Sequence, residues 1–595
     1  MATDTESGKA ATSYVDVAHD HQHRLDNLAD DIDPRAIGGT LETMPKGYYY
    51  TPTFIGTFLG CMFSSMALFA GYTMPFNIVT IIDADIGPSN SYIWIPLVYT
   101  VTGSITYTVA GRMSDILGRR WFAIGANAAG LIGSIIAATA HKVPVVVGGT
   151  AFTGVAGAVQ LLMPVLLGEL LPNKHRPYFI AAIWLVGMPF NGFGPIVARS
   201  VVVHTAAGWR WVYYLHIILC GLAVVLLGLF YHPPTLALLH AKHRKRIFSY
   251  LDLGGIILFS AGLVLFILGL SWGGQEFPWR SSAVISTIVV GAVLLIVFVV
   301  YEFKMPISYP LMPPQLWKNA EFISTSLTAS AGAMIYYSLN VLWPEQIVSL
   351  YTTDSIEIGW ISCTVTGGTI LGAIIACCYV KVLGHQKYQL IFATTGMTAL
   401  IGAMASCDQD TKTRAIVFVT IGSVFVGMIE GITSNTTPLC LEQEDIGLAI
   451  GMLGSIRTGL SSIATAAYTA ILAAKLETSI SKYTGAVAAA QGIPEQVLEE
   501  VLAGLAAGQE SFPDVPVAEV AEIANAYQTA YAKSFQVVYL VSIAFGVLSI
   551  IASFFSPNLE HRFTSEVARR LHGTDIDKKE AEALNGTEDE KHATV

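Results

Sequence analysis

The stretch Gly111-Arg-Met-Ser-Asp-Ile-Leu-Gly-Arg-Arg120 decides the fold, because it places three arginines and one aspartate between two long apolar segments, 91–110 and 121–140. If those segments cross a bilayer, the charged stretch must lie at one water interface. Clustered Lys and Arg beside a span mark the cytoplasmic side. Gly111 allows two helices to approach closely, and Gly118 allows a tight reversal. A generic basic loop would explain the charges, although it would not explain the Gly and Asp spacing.

The composition indicates an integral membrane protein. Of 595 residues, 53% are hydrophobic and only 13% are charged, whereas soluble domains carry about 25% charged residues. We find no basic tract for nucleic acid, no phosphate-binding loop, no metal motif and no plausible nucleophile–base set. The sequence therefore predicts neither an enzyme nor a cofactor, and it predicts the lipid bilayer as a partner.

The apolar runs predict an all-α protein with fourteen spans, each of about 20 residues. The runs lie near 52–72, 91–110, 121–140, 144–168, 179–203, 211–231, 254–272, 283–301, 321–343, 357–380, 389–406, 415–438, 447–474 and 534–556. An even number puts both termini on one side. With 111–120 inside, the inner loops hold thirteen Lys and Arg against five in the short outer loops. This asymmetry predicts cytoplasmic termini.

The spans group into two six-helix halves, 48–231 and 321–556, separated by a basic loop and two inserted helices in 232–320. An internal echo favours this division, because Val382-Leu-Gly-His-Gln-Lys-Tyr follows span 10 much as Ile116-Leu-Gly-Arg-Arg-Trp-Phe follows span 2. Gly384 would then correspond to Gly118. Polar residues 1–47 and 557–595 are predicted to be disordered cytoplasmic tails.

A long outer segment, 475–532, separates the last two spans. Within it Pro494 occupies a helix-start position, and apolar residues recur at helical spacing through Leu505. We predict an amphipathic helix here, over the outer mouth or at the interface. A tolerated surface insertion is the alternative.

Two levels of family resemblance follow from these residues. The pattern G-x-x-x-D-x-x-G-R-R between spans 2 and 3 resembles the signature loop of major facilitator superfamily transporters. Longer blocks resemble the fungal trichothecene efflux pump family within that superfamily. These blocks are Gly168-Glu-Leu-Leu-Pro-Asn-Lys-His-Arg, Gly208-Trp-Arg-Trp, Leu251-Asp-Leu-Gly-Gly with Leu270-Ser-Trp-Gly-Gly, and Asp445-Ile-Gly-Leu-Ala-Ile-Gly-Met-Leu-Gly-Ser-Ile-Arg-Thr.

The resemblance implies the major facilitator fold and proton-driven export of an amphipathic fungal metabolite, such as a trichothecene-like toxin, from the plasma membrane. It also implies a monomer whose partners are the small-molecule substrate, protons and lipid. Two motifs depart from the superfamily's drug–proton antiporters. Thr150 precedes Gly154 where an R-x-x-x-G pattern has arginine, and Gly194-Pro-Ile-Val-Ala-Arg stands where the span 5 motif reads G-P-x-x-G-G.

The resemblance also assigns the signature loop a role as a conformational latch at the cytoplasmic ends of the two halves. Asp115 and Arg119 stand four residues apart, close enough to pair on a helix. Asp115 could also meet the positive N-terminus of span 13. The predicted latch residues are Gly111, Asp115, Gly118, Arg119 and Arg120.

Charged residues inside spans are costly and usually functional. Glu430 lies in span 12 and Arg457 in span 13, roughly 12 and 15 Å from the cytoplasmic ends at about 1.5 Å per residue. We hypothesise that Glu430 carries the coupling proton and that Arg457 sets its proton affinity. A permanent structural ion pair is the alternative.

Span 9 offers candidates for a substrate pocket. Tyr336, Tyr337 and Asn340 could line a site for a flat, oxygenated, amphipathic compound. An outer aromatic belt is the alternative, and it applies more to Trp343 than to Tyr336. Arg199, near the outer end of span 5, is expected to extend to the interface rather than bind substrate.

Two other functions fit the same sequence. Uptake of a ferric siderophore with protons would use the same fold, and a non-transporting sensor would signal through the tails. The tails carry no recognisable domain, which disfavours the sensor. A vacuolar or vesicle membrane is the alternative location.

Overall fold

The computed structural model describes residues 48–117, 119–163, 176–232, 252–273, 277–305, 311–312, 314–437, 440, 446–491, 493–506, 512 and 516–558. Within these residues the regular secondary structure is helical. In chain order the helices are α1 Pro52–Asn77, α2 Val79–Ile86, α3 Trp94–Leu117, α4 Arg119–Ala138, α5 Val143–Gln160, α6 Arg176–Asn191, α7 Gly194–His204, α8 Arg210–Phe230, α9 Leu253–Trp272, α10 Ser282–Lys304, α11 Pro314–Lys318, α12 Ala320–Leu350, α13 Ser355–Leu383, α14 Gln386–Ala403, α15 Lys412–Thr436, α16 Ile446–Gln491, α17 Glu495–Ala506 and α18 Val517–Ser553. Short 3₁₀ turns lie at Tyr48–Tyr50, Asn90–Ile93 and Met404–Ser406.

Several helices begin where a side chain caps the first turn. Thr51 Oγ1 accepts a hydrogen bond from Phe54 N at 3.3 Å, and Pro52 follows at the first helical position. Ser281 caps α10 in the same way, with its hydroxyl 3.3 Å from Val284 N. These caps satisfy amide groups that have no carbonyl partner at a helix start.

Thirteen helices or helix pairs in the described residues are long and apolar enough to cross a membrane. They match the predicted spans except the ninth. The ninth predicted span corresponds to α12, whose mean hydropathy is too low for it to belong to this group. At 31 residues, α12 would reach about 46 Å, so its length suffices for a span. Its hydroxyl and amide groups are buried inside the protein, which explains why a buried helix here is less apolar than its neighbours.

The helices pack as two groups with a hairpin beside them. In the first group α1 packs on α6 and α8, and α3 and α4 pack on α5; in the second, α12 packs on α16, and α13 and α14 pack on α15. Helices α9 and α10 pack mainly against each other, and α9 also contacts α16 and α3. The groups meet along two seams, α3 with α16 and α6–α7 with α13.

The long outer segment is largely helical. Helix α16 continues to Gln491 and α18 already begins at Val517, so both extend well beyond the predicted span ends. The predicted amphipathic helix is present as α17, with Val501 buried against Val520 and Ile523 of α18. Its position relative to the membrane stays a prediction.

A turn at Gly384 joins α13 to α14, while the internal echo stays a prediction. Helix α13 ends at Leu383, Gly384 takes a left-handed φ of 59°, and α14 begins at Gln386. The corresponding turn between α3 and α4 falls on Gly118, which lies outside the described residues, as do the tails at 1–47 and 559–595 and most of the basic loop.

Candidate functional site

A small cavity lies between the two helix groups. Helices α1 and α6 line it from one side, and α12, α13, α15 and α16 line it from the other. The lining residues are Leu68, Phe69, Tyr72, Leu161, Trp184, Asn191, Gly332, Ala333, Tyr336, Tyr337, Thr369, Val426, Glu430 and Arg457. The lining is thus mostly apolar and aromatic, with a few polar groups, which is the usual character of a small-molecule site.

Glu430 and Arg457 form an ion pair at the cavity wall. Arg457 Nη1 lies 2.5 Å from Glu430 Oε1, and the two side chains are only 11% and 9% exposed. The Ser434 hydroxyl also donates to Glu430 Oε1 at 3.4 Å. Arg457 Nε is buried and has no hydrogen-bond partner among the residues that the structure describes. The two charged residues predicted to face each other are therefore in contact, whereas a role in proton coupling stays a prediction.

Tyrosine hydroxyls connect the two groups across the cavity. The hydroxyl of Tyr72 on α1 is hydrogen-bonded to that of Tyr336 on α12. Tyr336 also donates to Asn191 Oδ1 on α6 at 2.9 Å. The Tyr72 ring lies edge-on to Tyr336 at 6.0 Å and tilted against Tyr337 at 5.7 Å between centroids. A substrate entering here would have to separate these rings or break these hydrogen bonds.

Asn340 does not line the cavity as predicted. Its amide donates to the Tyr336 carbonyl one turn earlier at 2.8 Å, so its polar group is satisfied within its own helix. Trp343 is fully buried and donates to Ile361 O at 3.2 Å. It therefore belongs to the packed interior and not to an outer aromatic belt.

Arg199 does not extend to the interface, and that expectation is wrong. The residue is 4% exposed. Its guanidinium donates to Asn77 Oδ1 at 2.7 Å and to Asn77 O at 3.1 Å. The carbonyl at the end of α1 and the amide side chain replace water, so the side chain is held inside.

The seam between α3 and α16 depends on glycine. A Cβ on Gly451 would lie 2.9 Å from Gly111 Cα and 2.7 Å from Tyr107 O, so the two backbones are in direct contact. One helical turn further along α16, Ser104 Oγ donates to Ser455 O at 2.9 Å. The end of α3 therefore lies beside the beginning of α16.

The described latch residues Gly111, Arg119 and Arg120 lie at this end of the bundle. Arg119 is buried. Arg120 donates through Nη2 to Gly228 O at 2.5 Å, a contact within the first helix group. Asp115 is in the last turns of α3, but its side chain and the whole of Gly118 lie outside the described part of the chain. The latch as a function stays a prediction.

The opposite seam forms where the fifth predicted span is broken. Helix α6 ends at Asn191 and α7 begins at Gly194. Thr366 Oγ1 of α13 donates to Gly192 O at 2.8 Å, satisfying a carbonyl that the break releases. A Cβ on Gly359 of α13 would lie 3.0 Å from Ile196 Cα. Both seams are therefore closed in this structure.

Sequence reasoning missed Tyr72, Trp184 and Asn191. Tyr72 and Trp184 are uncharged aromatic residues within apolar runs, so the sequence does not separate a cavity wall from ordinary packing at these positions. Asn191 offered the clearest signal, because it stands in Pro189-Phe-Asn-Gly-Phe-Gly-Pro195, where two prolines predict an interrupted helix. Interrupted helices at membrane depth usually line a cavity.

The family of the protein is shown by a match between its sequence and a family model. The model for the fungal trichothecene efflux pump matches residues 15–595. The chain belongs to this family. As a member, it is an efflux-pump-type transporter of the major facilitator superfamily, spanning the membrane many times.

Two relatives are similar along nearly the whole length. The chain is 28% identical over 586 residues to the trichothecene efflux pump TRI12 of Trichoderma arundinaceum, covering 95% of this chain and 96% of the relative. It is 27% identical over 585 residues to the TRI12 pump of Fusarium sporotrichioides, covering 96% and 97%.

Solved structures support the fold. The proton:xylose symporter XylE bound to 6-bromo-6-deoxy-D-glucose superposes with a TM-score of 0.53 at 13% identity, covering 88% of this chain and 99% of the symporter. At this identity the likeness concerns the fold alone, which is the major facilitator fold that the sequence predicted.

Proposed function

We propose that this pump exports an amphipathic, trichothecene-like secondary metabolite across the plasma membrane in exchange for protons. The observation that carries the proposal is the cavity between the helix groups, which has an ion pair in its wall and hydrogen bonds across it. Membership of the efflux pump family supports the direction of transport. Both termini are then cytoplasmic, and one chain forms the transport unit.

The lining favours a flat, oxygenated ring compound as the substrate. Phe69 and Trp184 pack with centroids 5.5 Å apart, and Tyr72 and Tyr337 continue the aromatic wall. Aromatic faces provide apolar area at a low entropy cost, because their side chains have few rotatable bonds. The Tyr336 hydroxyl and the Asn191 amide can then exchange their mutual hydrogen bond for bonds to substrate oxygens.

Alternating access follows from the two seams. Opening the seam of α3 and α16 would expose the cavity on one side, and opening the seam of α6–α7 and α13 would expose it on the other. In our proposal the first seam faces the cytoplasm, and the loop with Asp115 and Arg119 latches it closed. Each cycle must then break the Ser104–Ser455 contact and re-form it.

Glu430 is the proposed proton carrier. When the cytoplasmic seam is closed and the outer one opens, the carboxylate becomes reachable by outside protons. Protonation removes the charge that holds Arg457 and weakens the pair. Substrate release and proton uptake are thereby linked, since both change the same cavity wall.

A paired accumulation assay tests the proposal. Cells expressing the pump, and cells expressing Asp115→Asn, receive a labelled trichothecene-like toxin or a labelled ferric siderophore, with and without a protonophore. We expect lower toxin accumulation with the wild-type pump, and we expect the protonophore and the variant each to abolish the difference. Higher siderophore accumulation under the same controls would instead indicate uptake and overturn export.

The location is tested by imaging a fluorescently tagged pump alongside the assay. Signal at the cell boundary is expected. A signal confined to vacuoles or vesicles would mean that the pump moves its substrate into a compartment rather than out of the cell, although the cavity chemistry would be unchanged.

Tyr336→Phe is expected to raise KM for the exported compound about five- to tenfold, with a smaller change in maximal rate. The variant removes the hydroxyl that, in our proposal, exchanges its bonds to Tyr72 and Asn191 for a bond to a substrate oxygen. Such a bond contributes about 1 kcal/mol, and up to about 1.5 kcal/mol. The measurement is a concentration series of transport into inverted vesicles.

Tyr337→Phe is the matched control. Its ring lines the same cavity, and its hydroxyl makes no hydrogen bond to any residue that the structure describes. Equal effects of the two variants would mean that the Tyr336 hydroxyl has no special part in binding.

A further inference from the structure

Two buried carboxyl groups lie at one end of the inserted hairpin, away from the transport cavity. Asp252 precedes α9, and Glu302 lies in the last turn of α10. They are only 8% and 3% exposed, respectively. Neither residue has a Lys, Arg or His within 4.0 Å among the described residues. Two carboxylates without a cation would be costly in such a place.

Both groups accept hydrogen bonds from fixed donors. Asp252 Oδ1 accepts from Gly255 N at 2.9 Å and from the Tyr301 hydroxyl at 2.9 Å. Glu302 Oε1 and Oε2 accept from the backbone amides of Leu311 at 3.0 Å and Met312 at 3.3 Å. These donors account for three of the four carboxyl oxygens.

The fourth oxygen, Asp252 Oδ2, is buried and has no hydrogen-bond partner within the described part of the chain. A Cβ placed on Gly255 would lie 3.1 Å from Glu302 Oε1 and closer still to Asp252 Oδ2. The two oxygens therefore face the same small space, which only a glycine leaves open. If both groups were ionised, two negative charges would face each other there, one of them on an atom without a donor.

We propose that Asp252 and Glu302 bind one proton between them, carried on Asp252 Oδ2 and directed at Glu302 Oε1. The protonated Asp252 would then supply the missing donor, and all four oxygens would be used. Two adjacent carboxyls commonly share a proton because they cannot both ionise. Among the described residues, the ionisable Tyr301 also contacts the pair and donates its hydroxyl to Asp252.

The shared proton joins the two ends of the inserted hairpin, and Glu302 in turn connects the hairpin to the second helix group. Glu302 holds the backbone of Leu311 and Met312, and both side chains are buried in a cluster with Ala449 and Met452 of α16. Those residues flank Gly451, which forms the seam with α3. The pair is thus a second protonation site, separate from Glu430, that positions the hairpin and its linker beside a moving seam.

Infrared spectroscopy of the purified full-length pump tests the proposal directly. A protonated carboxyl has a C=O stretch distinct from that of a carboxylate, and isotope-labelled aspartate shifts it. We expect wild-type protein at neutral pH to show a protonated aspartic acid band. Asp252→Asn should remove the band, whereas Glu357→Gln should leave it unchanged because Glu357 is paired with Lys412 at 2.5 Å.

The two amide variants should also differ in stability. Asparagine at 252 replaces the O–H donor with an N–H donor toward Glu302, so the Tm of Asp252→Asn should stay near that of the wild type. Glu302→Gln should lower the Tm, because its NH₂ group must face a backbone amide donor of Leu311 or Met312. Three results would each overturn the proposal. The band could be absent from wild-type protein, it could persist in Asp252→Asn, or the loss of Tm could be larger in Asp252→Asn than in Glu302→Gln.

Discussion

Glu430→Gln is expected to reduce proton-driven export by more than tenfold, a rise of more than about 1.4 kcal/mol in the effective barrier, while exchange without a proton gradient continues. Glutamine keeps the shape of the side chain and can still accept a hydrogen bond from Arg457. It cannot take up or release a proton. Among the residues lining the cavity, Glu430 is the acid, so this variant separates proton coupling from substrate movement.

The measurement uses membrane vesicles loaded with labelled substrate. Export driven by an imposed pH gradient is compared with exchange of labelled for unlabelled substrate at equal pH. Normal gradient-driven export by Glu430→Gln would remove this residue from the coupling mechanism. Loss of both activities together would indicate damage to the cavity or to folding.

The alternative role of Glu430 and Arg457, a permanent structural ion pair, needs its own variant. A buried pair that loses one partner can cost about 3–5 kcal/mol of stability, which would also reduce export. Glu430→Gln combined with Arg457→Gln removes both charges and restores neutrality. If the pair only joins α15 to α16, the double variant should regain gradient-driven export. If Glu430 carries the proton, the double variant should regain stability and exchange but not gradient-driven export.

Glu357→Gln is the matched control for the single variant. It also removes a glutamate from an ion pair with a 2.5 Å contact, in this case with Lys412, but both side chains are substantially exposed at 45% and 34%. Exposed ion pairs contribute little to stability, because water screens them. We therefore expect wild-type export and stability from this variant.

The spans and the ion pair could be predicted because each reflects a free-energy cost that can be read from a short stretch of sequence. Burying an apolar run in lipid sets the length of a helix, and a charge inside such a run needs a partner. Glu430 and Arg457 were the evident candidates on adjacent predicted spans, and the structure brings them together.

The cavity itself could not be derived in this way. Tyr72 and Tyr336 are 264 positions apart, and only the packing of the two helix groups brings their hydroxyls together. The prediction for Arg199 was wrong for a related reason. Distance from a span end gives depth but not direction, and the broken helix turns this side chain toward Asn77. For α12, the apolar run in the sequence predicted a span although the helix is rich in polar residues, and several of these bond to carbonyls one turn earlier in the same helix.

Gly451→Leu is expected to abolish transport by preventing the α3–α16 seam from closing, with little effect on membrane insertion. Even a Cβ at this position would lie 2.7 Å from Tyr107 O and 2.9 Å from Gly111 Cα. Backbone atoms on the other helix cannot move aside as a flexible side chain could. A leucine must therefore separate the helices, which holds the pump open at this end.

Accessibility of the seam provides the measurement. Ser455→Cys is introduced with and without Gly451→Leu, and labelling by a water-soluble thiol reagent is compared with the parent protein that lacks the added thiol. Ser455 is 1% exposed in the closed seam, so labelling should be slow without the leucine and at least about tenfold faster with it, the change expected when about 1.4 kcal/mol shifts the equilibrium toward the open form.

Gly148→Leu is the control for adding a leucine to a helix of the same bundle. Gly148 lies in α5, and a Cβ there would meet no atom within 4 Å. It should leave both transport and Ser455→Cys labelling unchanged.

If Gly451→Leu transports normally, the close contact of α3 and α16 is not part of the cycle. If it is inactive with slow labelling, the leucine has blocked another step while the seam stayed closed. Inactivity with fast labelling, seen only for the leucine at 451, is the result that ties closure of this seam to transport.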